Sequence, residues 1–252
     1  MRKQSYFVIQ ELVSRELKRK YSRSRLGILW SVLSPLLSMA VLSLVFSAMF
    51  RKSIENYPVY YLTGFILWNF FTTSTNTAMT ALADNQTLIL QVKFPREVFP
   101  FARVYTAFVN FLYSLIAYGI ILLIFGIRLS AAVFLFPVIV FFIFLFSLGM
   151  GYLLSVLYVF FGDVRHLYSV FLTLWMYLSA LFYPLELLPE TMQRLIWQNP
   201  IYNFIAAARD CILYGTLPRS AVMIRIFVWG IGMYGAGKFV FQKSQSKVIQ
   251  KL

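Results

Sequence analysis

Apolar runs long enough to cross a bilayer recur along this chain of 252 residues, and no polar stretch between them is long enough to build a soluble domain. A run of about 20 apolar residues matches a hydrocarbon core ~30 Å thick, so such runs are read as transmembrane helices. The expectation is one all-α integral membrane domain over 1–252. Composition agrees, with 60% hydrophobic and only 13% charged residues and a mean hydropathy of +0.73. These values lie well outside those of ordinary soluble domains.

Six spans are expected, at about 29–50, 59–83, 104–125, 132–161, 167–183 and 221–241. Residues 1–28 mix basic and apolar side chains in a helical pattern, which suits an amphipathic helix lying in the cytoplasmic interface. The segment 84–103, with Lys93, Pro95, Arg96 and Glu97, is too charged for hydrocarbon and is expected as a cytoplasmic loop. A tight turn at 126–130 joins spans three and four. The region 184–220 holds apolar pieces too short to cross, which predicts re-entrant or interfacial helices on the extracytoplasmic side.

The net charge of +14 comes from Lys and Arg gathered at the ends of apolar runs. That is the positive-inside pattern, and it places both termini in the cytoplasm. A nucleic-acid partner is not expected, because no soluble surface is left to carry a basic patch.

Several chemistries are missing. No segment reads G-x-x-x-x-G-K-[ST], and Gly149 to Gly151 lacks the lysine that would reach a phosphate. Any ATP-driven activity would then use a separate polypeptide. The expected span centres carry no ionisable residue of the kind ion-coupled carriers use, and no internal repeat supports an inverted-repeat carrier. His166 and Asp163 fall in the turn between spans four and five, with Asp163 placed to cap the next helix. Cys211 is the single cysteine and His166 the single histidine, so no metal site and no nucleophile with a base is expected.

Four segments in order carry a family resemblance. KYSRSRLGILWSVLSPLL at 20–37, KFPREVFP at 93–100, FFGDVRHL at 160–167 and NPIYNFIAAARDCILYG at 199–215 together resemble the permeases of polysaccharide-export ABC transporters, those for O-antigen, teichoic acid and some capsules. The pattern departs at Gly162, where Arg is expected before the Asp, so no Arg–Asp pair is assigned at that turn.

The resemblance implies a homodimer of six-span subunits in the inner membrane, joined to two copies of an ATP-binding subunit that binds ATP and Mg. No cofactor is expected on this chain. The substrate it implies is a lipid-linked glycan whose anchor stays among the membrane lipids. It also implies a coupling helix in the 84–103 loop, with Asn85, Leu88, Ile89, Val92, Phe94, Pro95, Arg96 and Glu97 against the ATPase. Leu88, Ile89 and Val92 offer one apolar face there, which suits either docking or a lipid interface.

Trp30, Tyr61, Trp68, Thr72, Trp175, Tyr177 and Tyr183 are the residues expected along the glycan path. Stacking on sugars and anchoring at an interface use the same rings, so both readings stand. Two other functions remain open at this point: a permease of the same architecture for a drug or small lipid, and an integral membrane enzyme or scaffold.

Overall fold

A computed structural model describes residues 9–16, 18, 27, 29–50, 54–91 and 95–251, with the side chains of 31, 32 and 48–50 left aside. Every regular element among them is helical. The chain runs α1 (9–16), α2 (Leu29–Phe50), α3 (Tyr57–Met79), α4 (Ala81–Asp84), α5 (Gln86–Gln91), α6 (Val98–Ile124), a 3₁₀ turn (Ala131–Leu135), α7 (Phe136–Phe160), α8 (Val164–Tyr177), a 3₁₀ turn (Leu185–Leu187), α9 (Glu190–Trp197), α10 (Pro200–Ile212) and α11 (Ser220–Lys251). Among the described residues three stretches are long and apolar enough to cross a membrane by length and composition: Val98–Ile124, Ala131–Phe160 and Ser220–Lys251.

Helix α3 is the axis of the bundle. Pro58 sits in its first turn, where a missing N–H leaves no bond unmade, and its buried residues lie on every side, among them Tyr61, Leu67, Phe71 and Ala78. It packs on α2, α6, α7 and α10. Because lipid is as apolar as leucine, burial alone does not drive such packing; close approach and interhelical hydrogen bonds do. The Thr63 and Tyr118 hydroxyls meet at 2.6 Å between α3 and α6, and the Tyr168 hydroxyl of α8 donates to Thr75 Oγ1 at 2.7 Å. Where α7 meets α11, Gly149 and Gly237 let the two backbones touch: a Cβ built on Gly237 would fall 2.0 Å from the Gly149 carbonyl oxygen.

Helix ends follow local chemistry. Gly126, at φ +66°, closes α6 through Gly126 N–H to Leu123 O and Ile127 N–H to Leu122 O, the glycine-terminated ending that spares the last carbonyls. Ser130 Oγ then accepts from Ala132 N–H and donates to Gly215 O at 2.8 Å, tying the α6–α7 turn to the loop before α11.

Three expectations change in detail. Asp163 does stand at the N-cap position of α8, but its side chain makes no capping hydrogen bond; its φ of −66° and ψ of −16° are already helical, whereas a capping side chain needs an extended backbone. The fifth apolar run is helical only over Val164–Tyr177, 14 residues, or about 21 Å at 1.5 Å per residue. The last helix runs to Lys251, 32 residues in all, well beyond the expected end at 241. The short apolar pieces expected within 184–220 are the helices α9 and α10. Of the expected interfacial helix over 1–28, residues 9–16 are helical; most of the remainder lies outside the described residues.

Candidate functional site

The unwound end of α8 is the most unusual backbone among the described residues. Between Leu178 and Tyr183 there is no helix, and Ala180 has φ 45°, a left-handed conformation uncommon without glycine. Carbonyls that leave a helix in an apolar setting need other donors, and side chains supply them. Asn199 Nδ2 donates to Leu178 O at 2.8 Å. Arg209 Nη1 and Nη2 donate to Ala180 O and Leu181 O, each at 3.0 Å. The hydroxyls of Tyr57 and Tyr60 donate to Phe182 O and Tyr183 O, each at 3.0 Å.

Arg209 organises this end. It is 4% exposed, its Nε donates to Tyr60 O at 3.3 Å, and its guanidinium lies 3.4 Å over the Tyr60 ring. No carboxylate forms an ion pair with it among the described residues. The weakly hydrated, planar guanidinium is the cation best suited to such a place. Gly64 leaves the room it needs, since a Cβ there would lie 3.0 Å from Arg209 Nη2.

Asn199 is the second organiser. Its Oδ1 accepts from Trp175 Nε1 at 2.8 Å and from Ile201 N–H at 2.9 Å, capping α10. Asn203, one turn on, donates to the carbonyls of Trp197 and Asn199. The Asn-Pro element therefore fastens α8, α9 and α10 together.

The expected path residues do not converge on one surface. Tyr61 is 1% exposed and stacks on Phe65 and Phe182 at 5.2 and 5.8 Å. Trp68 is buried 5.9 Å from Phe71, and the Thr72 hydroxyl is spent on Trp68 O. Trp175 sets its ring edge against Phe71 and its N–H on Asn199. Tyr183 folds its hydroxyl back to Tyr177 O. These side chains are core and support for the unwound segment. Tyr177, 57% exposed, and Trp30, 47% exposed at the start of α2, keep open faces.

At the opposite end of α3 a polar network ties α1 to the bundle. Arg103 on α6 bridges Glu16 of α1 and, at 2.9 Å, Asp84 of α4. Arg15 donates to Asn85 Oδ1 at 2.7 Å, and Gln242 donates to Glu97 Oε1 at 3.0 Å. Beneath it Leu12 and Val13 of α1 pack with Leu82, Ile89, Val98 and Phe241.

This arrangement redirects the expected docking face. Ile89 is 6% exposed and belongs to that apolar cluster, with Leu88 packed beside it, because α1 and α6 offer both a place to bury. The outward side of α5 is instead Gln86, Thr87, Leu90 and Gln91, with Leu90 55% exposed. Asn85 is buried against Arg15, Pro95 is exposed, and Arg96 and Glu97 are half-buried. Val92 and Phe94 lie outside the described residues.

Helix α8 presents three faces along its length. Tyr168 and Leu172 are buried against the bundle; Leu167, Val170, Phe171 and Leu174 form an exposed apolar face. Between them His166, Ser169, Thr173 and Tyr177 are exposed, and at three- and four-residue spacing they fall on one side of the helix.

Residues 8–213 match the family described as ABC-2 type transporter. The chain is 30% identical over 243 residues to the O-antigen export system permease protein RfbA of Myxococcus xanthus, covering 96% of this chain and 94% of that one. It is 30% identical to a protein of the same name from Klebsiella pneumoniae, over 92% of this chain and 90% of the other. It is 23% identical to the polysialic acid transport protein KpsM of Escherichia coli, over 90% of this chain and 92% of the other.

Proposed function

Since the chain belongs to the ABC-2 type transporter family, we propose that it is the membrane permease subunit of an ATP-driven exporter that moves a lipid-linked polysaccharide across the cytoplasmic membrane. Similarity over nine-tenths or more of the chain to O-antigen export permeases and a polysialic acid transport protein carries this reading. It favours polysaccharide over a drug or small lipid, and a transporter subunit over a membrane enzyme or scaffold. ATP and Mg bind a separate ATP-binding subunit, present in two copies, and both termini of this chain face the cytoplasm.

The subunit works as a homodimer with six spans per chain, α8 and its unwound continuation serving as the fifth. The observation behind the dimer is the polar strip His166, Ser169, Thr173 and Tyr177 on α8, which one chain leaves uncovered beside an apolar face. Hydroxyls facing lipid are unfavourable; two copies meeting along the apolar face set both strips on a shared wet lining. Weak hydroxyl and ring contacts spread along such a lining let a long glycan slide. The outward face of α5, with Leu90, then meets the ATP-binding subunit.

Cysteine at Ser169 or Thr173 tests the arrangement, because the native Cys211 is buried. Cross-linking between copies, together with blocked ATP-driven export after modification, is the expected result. Exported glycan at normal rates from fully modified protein contradicts it.

A further inference from the structure

A cavity of about 330 Å³ between α2, α3 and α6 and one of about 440 Å³ between α1, α3, α4 and α6 share Thr73, Ala107 and Asn110, so they form one groove. Its mouth is at Glu16, Asp84 and Arg103, at the α1 end. From there it climbs past Thr77 and Thr106 to Asn69, Asn110 and Ser114 at the middle of α3 and α6, with Trp30 and Phe70 on its wall. Amides and hydroxyls at that depth persist in membrane proteins where they face water or a polar ligand.

The lining selects among ligands. Thr77 Oγ1 donates to Thr73 O, Thr106 Oγ1 to Ala102 O, and Thr73 Oγ1 to Asn69 Oδ1. With those protons committed, the threonines turn oxygen lone pairs to the groove, which accept from a donor. Phosphate oxygens are acceptors only, and the Arg103 guanidinium at the mouth is already bridged by Glu16 and Asp84. Along these threonine oxygens a phosphate group finds no donor. A sugar has many hydroxyl donors and an apolar face, and the half-exposed Trp30 offers a ring for that face.

We propose that this groove is a reception site for the sugar next to the lipid anchor, holding it by hydroxyl donation and ring stacking in the α1-side half of the bilayer while any phosphate linking it to the anchor stays outside. The site is separate from the polar strip of α8. It rests on the reading of the chain as an exporter of lipid-linked glycan, and it adds where the sugar waits and why the phosphate does not.

The test uses the full transporter in nanodiscs with two diazirine probes, an alkyl glycoside and a phosphatidylglycerol. The expected result is labelling by the glycoside within the peptides holding Trp30 and Asn110, at least tenfold over the phospholipid. Labelling should fall about tenfold in Thr73→Val and Thr106→Val, which keep shape and lose the acceptor oxygen. Equal labelling by both probes makes the groove a general lipid crevice and overturns the proposal. Undiminished glycoside labelling in the valine variants overturns it as well. Absent labelling while ATP-driven export proceeds in the same preparation overturns the reception site and leaves the exporter intact; absent export with strong, valine-sensitive labelling keeps the site and removes the exporter reading.

Discussion

The guanidinium of Arg209 lies 3.4 Å over the ring of Tyr60, and the Tyr60 hydroxyl in turn donates to Tyr183 O. One contact thus joins the start of α3, the end of α10 and the unwound segment after α8. Arg209→Met removes the donors to Tyr60 O, Ala180 O and Leu181 O and leaves those carbonyls buried. A loss of about 3 kcal/mol is expected, read as a lower unfolding temperature in detergent. Arg209→Lys keeps the charge but not the fork, and should lose nearly as much.

Gly149 and Gly237 set the spacing of α7 and α11. Alanine at Gly149 would place a Cβ 2.2 Å from Met233 O, backbone that has no rotamer to relax into. Gly149→Ala and Gly237→Ala should each lower stability by about 2 kcal/mol or more, seen as reduced yield and a lower unfolding midpoint. Gly119, with nothing within 4 Å of its added Cβ, is the control: Gly119→Ala should be neutral or stabilise by up to about 1 kcal/mol.

The two sides of α5 should separate folding from coupling. Ile89→Glu puts a charge into the cluster of Leu12, Leu82 and Phe241 and should deplete the folded protein. Leu90→Glu changes an exposed site, so the permease should fold normally while co-purification of the ATP-binding subunit and stimulated hydrolysis fall. Normal co-purification with Leu90→Glu removes this face from the interface.

Arg103 holds α1 down through Glu16 and Asp84. In Arg103→Met, a cysteine placed at Val13, buried in the native fold, should react with a maleimide several-fold faster. An unchanged rate would show that apolar packing alone retains the helix.

How much of this could be read from the residues depends on the kind of interaction. Long helices announce themselves by hydropathy, and the bounds of α2 fall where the apolar run predicts. The end of α8 did not, because Leu178 to Tyr183 is apolar enough to extend a helix; what stops it is a set of distant donors at Tyr57, Tyr60, Asn199 and Arg209. Arg209, set among Ala206, Ala207 and Ala208, was a visible oddity, an arginine in an apolar helix, but its three acceptors lie far away in the chain. Tyr61, Trp68 and Trp175 show a related point: aromatic rings serve cores and sugar paths alike, and in this chain Tyr61 and Trp68 are buried and Trp175 is half-buried. On α5 the apolar pattern of Leu88 and Ile89 suited docking or a lipid interface, and it carried no sign that α1 covers that face.

The most direct measurement is transport in reconstituted vesicles holding this chain and its ATP-binding subunit, supplied on the outside with a radiolabelled lipid-linked glycan. With the nucleotide-binding side outward, ATP and Mg should make the glycan inaccessible to an added glycosidase, and a hydrolysis-deficient ATP-binding subunit should abolish the effect. Protection that is independent of ATP, or ATP hydrolysis with no protected glycan, would contradict the account of the chain as a polysaccharide-export permease.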